Sequence, residues 1–133
     1  MRLIVAAGLL GQVQEHARRS YPNEACGLLV GLSAADRFIP IKNIAPKPHH
    51  YEMDPAELIA ALRSLRDTGE RLIGIFHSHP HGPAEPSARD IELSCYPEAA
   101  HLIVSMAEPE RPQSAAFRIA DGQVFPVELH VIV

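Results

Sequence analysis

His77 and His79 stand two residues apart at the end of an apolar run, Leu72 to Phe76. Asp90 comes after a loop broken by Pro80, Gly82, Pro83 and Pro86. The apolar run reads as a buried strand. Strand side chains alternate between faces, so both imidazoles point the same way. Ser87-Ala88-Arg89-Asp90 has the form of a helix start, a hydroxyl followed three residues later by a carboxylate. A strand end, a loop and a helix start can therefore bring two neutral imidazoles and one carboxylate to one point. That donor set suits zinc with a fourth position left for water, which is the ligand count of a catalytic site and not of a closed structural one.

The elements that must hold these groups can be read from periodicity and turn chemistry. Leu3 to Val5 reads as a short strand. A helix comes next, with Leu9, Leu10, Val13 and Ala17 on one face, Gln14, Glu15, Arg18 and Arg19 toward solvent, and Pro22 marking its end. Glu24 then sits at the mouth of a central apolar strand that runs to Gly31. After a polar turn, Phe38 to Asn43 is a strand that Pro40 assigns to an edge or a bulge. Pro46 to Tyr51 is extended loop. Asp54 caps a helix with Pro55 in its first position and Glu57 completing a capping box; Leu58, Ile59, Leu62 and Leu65 form its apolar stripe, and Gly69 ends it. Beyond the histidine strand, a short helix covers Ala88 to Ser94 and His101 to Met106 is another buried strand. Ala115 to Ala120 pairs through the Asp121-Gly122 turn with Gln123 to Val133, where Pro126 again suggests an edge. The result is an α/β domain on a single curved mixed β-sheet flanked by helices.

Composition narrows the function classes. The 133 residues carry a formal charge of -4, are 47% hydrophobic and only 5% aromatic, and contain no Lys/Arg cluster, which speaks against nucleic acid as the main partner. Nothing approaches a membrane span. Met1-Arg2 and the five apolar residues after it imitate a signal peptide, but the run is short and the residues beyond it are needed for the first helix, so a cytoplasmic protein of one domain, residues 1–133, is expected. Cys26 and Cys95 lack the close pairing of a metal or redox motif and read as small hydrophobes in a reducing compartment.

Taken together, Glu24, His77-Ser78-His79, a gap of seven residues, Ser87 and Asp90 resemble the signature of the JAMM (MPN-plus) zinc metalloproteases. The resemblance extends to Tyr-Pro-x-Glu-x-Cys-Gly-Leu-Leu-x-Gly at Tyr21 to Gly31 and to His-Ser-His-Pro at His77 to Pro80, and to the order of elements along nearly the whole chain. It implies a curved mixed sheet of cytidine-deaminase-like shape, although the Pro-Cys-x-x-Cys of the deaminases is missing. It also implies one zinc per chain, held by His77, His79 and Asp90 with a catalytic water. Glu24 would be general acid and base, and Ser87 the donor to the oxyanion. Each residue also has a plainer explanation: a capping box for Ser87 and Asp90, a surface carboxylate for Glu24, and a hydrogen-bonded strand end for the histidines.

The chain is close to a bare catalytic core and looks more like the stand-alone prokaryotic members of that family. The resemblance therefore implies a zinc-dependent metallopeptidase or isopeptidase that hydrolyses the amide bond after the Gly-Gly C-terminus of a ubiquitin-like or sulfur-carrier protein, freeing a lysine-linked target, a C-terminal peptide or a cysteine. Glycine lets an extended tail approach a recessed metal, and a sheet edge can bind such a tail. The backbone from Ile44 to Tyr51 is the expected wall of the groove, with His49, His50 and Tyr51 as substrate-binding candidates and Met53 below them. Two alternatives stand beside this reading, a non-catalytic binding module and a zinc hydrolase of a small-molecule amide. His81 is expected to be a loop residue near the cleft, and His16, His101 and His130 to serve packing or solvation.

Overall fold

The computed structural model describes residues 1–132, so the last residue of the strand expected over Gln123–Val133, Val133, lies outside the described residues. Among the described residues there are seven strands: β1 (Arg2–Val5), β2 (Cys26–Gly31), β3 (Arg37–Ile41), β4 (Arg71–His79), β5 (Ala100–Ser105), β6 (Gln113–Ala120) and β7 (Gln123–Val131). They form one sheet in the order β1-β7-β6-β5-β4-β2-β3. The β1·β7 and β4·β5 pairs are parallel and the others antiparallel, which gives the expected mixed sheet. Three helices, α1 (Leu9–Ser20), α2 (Pro55–Thr68) and α3 (Ala88–Leu93), complete it.

The central strands read as unbroken apolar runs because both faces of the sheet are covered. Leu29, Phe76 and Leu102 join the cluster that includes Leu9, Val13 and Ala17 of α1. Leu28, Val30 and Ile75 join Ala61 and Leu65 of α2 on the other side. Along β4, His77 and His79 share parity with Ile75 and so lie on the α2 side.

The ends of α2 follow local chemistry with one exception. Asp54 Oδ1 accepts from the Ala56 N–H at 3.0 Å, Pro55 occupies the first position of α2, and Gly69 ends it in the left-handed region at φ 74°. Glu57 does not complete the capping box. Its Oε1 accepts instead from the Lys42 N–H at 3.0 Å, tying α2 to the chain just beyond the edge strand β3. Ile59 also departs from expectation: it is 49% exposed, while Ala61 and Leu65 are the buried residues of α2. Gln14 is half-buried and donates to Ser114 Oγ at 3.1 Å.

Pro40 lies on an edge strand as its missing donor requires. Pro126 does not, because β7 runs between β1 and β6. Only Glu128 to Val131 pair with β1, however, so Pro126 falls where β7 has β6 alone for a neighbour. The Asp121-Gly122 turn has φ values of 53° and 75°, as a two-residue hairpin of this sequence demands. No helix among the described residues is long and apolar enough to cross a membrane.

Gly31 closes β2 against a turn: a Cβ there would stand 1.9 Å from the Ala34 carbonyl oxygen. Gly31→Ala is therefore expected to destabilise the fold by about 1–3 kcal/mol, read as a lower denaturant midpoint with an unchanged slope.

Candidate metal centre

Sheet register brings distant residues together at one end of β2 and β4. Cys26 pairs with His77, and the antiparallel pattern continues beyond the strand: Ser78 N–H donates to the Ala25 carbonyl at 3.0 Å, and Ala25 N–H donates to Ser78 Oγ at 2.8 Å. One step further places Glu24 opposite His79. On its other side β2 pairs Cys26 with Ile41, so the same step places Asn43 beside Glu24. The Asn43 side chain uses both ends of its amide there. Nδ2 donates to the carbonyls of Glu24 (2.9 Å) and His50 (3.1 Å), and Oδ1 accepts from the N–H groups of Ala45 (2.9 Å) and Glu52 (3.0 Å). Asn43 thus fixes the Glu24 backbone and folds the 43–52 loop against it. From the sequence, Asn43 reads only as the end of a strand.

Ser87 and Asp90 form a complete capping box at the start of α3. Ser87 Oγ accepts from the Asp90 N–H at 3.1 Å, and Asp90 Oδ2 accepts from the Ser87 N–H at 2.9 Å. The same Oδ2 lies 3.0 Å from His77 Nε2 and 3.1 Å from His79 Nε2, and the two Nε2 atoms are 3.0 Å apart. Capping and convergence are therefore one arrangement, since the box aims Asp90 at the histidines. Glu24 joins them: its carboxylate and the two imidazoles each offer a donor atom, all within 4.8 Å of one another.

The chemistry of this triangle fits a metal ion. His79 Nδ1 lies 2.8 Å from the Pro83 carbonyl, which can only accept, so Nδ1 carries the proton and a neutral His79 turns the lone pair of Nε2 toward Asp90 and His77. Positive charge is needed among these atoms. A proton on His79 Nε2 would supply it in one state, and a dication held by all three groups would supply it in another. Ligands of a tetrahedral zinc at about 2.0 Å stand roughly 3.3 Å apart, close to the separations found here.

The electrostatics agree. Burial opposes charge on His79, but the Asp90 carboxylate and the Pro83 carbonyl outweigh it and raise the imidazole pKa. Burial lowers that of His77, whose ring stacks beneath Tyr51 at 4.6 Å. Burial also pushes Asp90 up, yet its contacts with the two histidines and the Ser87 N–H hold it well below the usual carboxylate range. Glu24 is 7% exposed, and burial raises its carboxyl to about 7 against the pull of His79. A cation held by the histidines would draw it down again.

A cavity of about 510 Å³ opens beside these groups. Glu24, Ser87 and Asp90 line it, and so do His49, His50, Tyr51 and Met53, the residues expected along the groove. His81 stays outside the cluster, edge-on to Tyr21 and His49. Cys26 and Cys95 are free thiols. Burial lifts Cys26 to about 12, which leaves it inert as a nucleophile, whereas Cys95 lines the cavity.

His101 was expected to be a packing or solvated residue, yet it is 4% exposed and lines the same cavity. Its Nε2 is 3.3 Å from Ser94 Oγ, and pairing with Ile75 across β4·β5 sets it on the α2 side. No local pattern marks it, because its position comes from a parallel pairing. Burial lowers its pKa from 6.5 to about 4. The unfolded chain takes up this proton near pH 6.5 while the folded chain refuses it until about pH 4, so the contribution is full above 6.5 and is lost as pH falls through that window. Relative to His101→Gln, the wild type is expected to lose on the order of 3 kcal/mol more stability between pH 7 and pH 4, measured by denaturant unfolding.

Residues 6–120 match the family model described as prokaryotic homologs of the JAB domain. The chain belongs to this family. JAB1/MPN domain proteins are also among its structural neighbours, which bears out the JAMM/MPN resemblance read from Glu24, His-Ser-His and Ser-x-x-Asp. Among curated relatives, a CysO-cysteine peptidase of Mycobacterium tuberculosis is 35% identical over 133 residues, covering 98% of this chain and 91% of that protein. A probable TtuB-protein conjugate cleaving protease of Thermus thermophilus is 44% identical over 91 residues, covering 68% of this chain and 62% of that one. A Desulfitobacterium hafniense protein solved in solution superposes with a TM-score of 0.87 at 37% identity, covering 98% of this chain and 92% of that chain.

Proposed function

We propose that this JAB-domain protein is a zinc-dependent peptidase or isopeptidase that hydrolyses the amide bond following the Gly-Gly end of a ubiquitin-like or sulfur-carrier protein, with residues 1–133 forming one catalytic domain. The observation that carries the reading is the meeting of His77 Nε2, His79 Nε2 and Asp90 Oδ2 within 3.1 Å of one another, with Glu24 alongside. Relatives named as a CysO-cysteine peptidase and a conjugate cleaving protease support the substrate class. The two free thiols support work in the reducing cytoplasm.

In this reading the three converging atoms hold one zinc per chain. When bound, zinc would bring a water to a pKa of about 7 and polarise the scissile carbonyl. Glu24 accepts the attacking water's proton on its carboxylate and delivers it to the departing amine nitrogen. Ser87 accepts the Asp90 N–H through a lone pair, so its own O–H remains to donate to the carbonyl oxygen as negative charge gathers there. Tyr51, stacked on His77, and the loop fastened by Asn43 form the wall along which a glycine tail lies.

A substrate trap tests this. Zinc-loaded Glu24→Gln protein, incubated with host lysate, should retain a protein whose Gly-Gly end is amide-linked to an amino acid, peptide or lysine, identified by mass spectrometry. Retention of no such protein by the zinc-loaded variant would contradict the proposed substrate class.

A further inference from the structure

We infer that Arg89 anchors a free α-carboxylate on the leaving group, so that the preferred substrate of this site is a Gly-Gly tail bearing one further amino acid. The inference rests on the peptidase reading above and narrows its substrate class. Arg89 is the single Lys or Arg that lines the cavity beside Glu24, Ser87 and Asp90. Its guanidinium makes no hydrogen bond or ion pair among the described residues. Arg18, Arg19 and Arg37 are each paired with a glutamate and Arg118 donates to the Pro97 carbonyl, while Arg2, Arg63, Arg66, Arg71 and Arg111 are as unpartnered as Arg89 but do not line the cavity. Glu52 also lines the cavity but forms no ion pair with Arg89 among those residues.

Position makes this cation useful. Arg89 lies between Ala88 and Asp90, so the capping box that orients Ser87 and Asp90 also fixes the backbone from which Arg89 extends. In an α-amino acid leaving group, the carboxylate carbon is two bonds from the nitrogen that departs. A guanidinium beside the scissile bond can take that carboxylate bidentately. A lysine side chain leaving from an isopeptide bond instead carries four methylenes and no charge near its nitrogen, and Arg89 would find no partner. The apolar remainder of the cavity, Met53, Leu58, Leu93 and Tyr96, accepts an uncharged side chain. Hydrolysis breaks the C–N bond after the second glycine. The oxygen of water passes to the glycine carbonyl carbon, a proton passes to the amine, and the amino acid leaves with its carboxylate on Arg89.

The test compares zinc-loaded enzyme on three peptides: one ending Gly-Gly-Ala as the free acid, the same peptide as its carboxamide, and one with Gly-Gly on a lysine Nε. Wild type should favour the acid over the carboxamide by about 10- to 100-fold in kcat/KM. Arg89→Ala should bring that ratio to about one, and Arg89→Lys should restore part of it. Equal rates for acid and carboxamide in wild type, an undiminished ratio in Arg89→Ala, or preference for the isopeptide would overturn the inference while leaving the peptidase reading intact. Hydrolysis of none of the three would overturn both.

Discussion

Glu24→Gln is expected to keep its zinc and lose turnover, with kcat falling about 10²- to 10⁴-fold. Glutamine preserves the size and the backbone anchor of Glu24, whose carbonyl accepts from Asn43 Nδ2, but its amide oxygen cannot hold a proton at neutral pH. The donor triangle of His77, His79 and Asp90 does not depend on that side chain. The rate–pH profile adds a second readout. Burial, against the pull of His79, raises Glu24 to about 7 and a bound cation would lower it, so wild-type activity should fall on the acid side below pH 7. An active, zinc-loaded Glu24→Gln enzyme would remove Glu24 from the mechanism.

Ser87 caps α3 and, in the proposed mechanism, donates to the oxyanion, and one set of variants can separate the two. As a helix cap its loss costs about 1 kcal/mol when replaced by alanine and only a few tenths when replaced by glycine. As a hydroxyl donor to the oxyanion its loss costs about 10²–10³ in kcat whichever residue replaces it. Ser87→Gly is therefore expected to fold and bind zinc nearly as wild type does, yet to turn over about 10²- to 10³-fold more slowly. Steady-state kinetics beside thermal unfolding reads both quantities. A Ser87→Gly enzyme with wild-type kcat would reduce Ser87 to its cap.

The chemical centre was legible because its parts sit close to turn and strand signals. His77 and His79 share a strand face, and Ser87-x-x-Asp90 is a helix start whose acid is free to turn inward. Glu24 could be placed at a strand mouth but not opposite His79, because that neighbour comes from the β2·β4 register, which no local pattern encodes. Asn43 and His101 escaped for the same reason, one set by pairing with β2 and the other by the parallel β4·β5 pair. Pro126 misled because a strand can have an interior place in the sheet and still lack a neighbour along half its length. Glu57 misled because an unpaired amide at Lys42 competes for its carboxylate.

The most direct test of a zinc centre built on these residues is the metal content of gently purified protein, wild type against His79→Ala. Removing a residue that merely orients a ligand typically weakens metal affinity about 10- to 100-fold, and removing a ligand itself should exceed that. About one zinc per wild-type chain is predicted, with none retained by His79→Ala through the same purification. A wild-type chain that binds no zinc even after the metal is added back, or a His79→Ala chain that keeps it, would contradict the assignment.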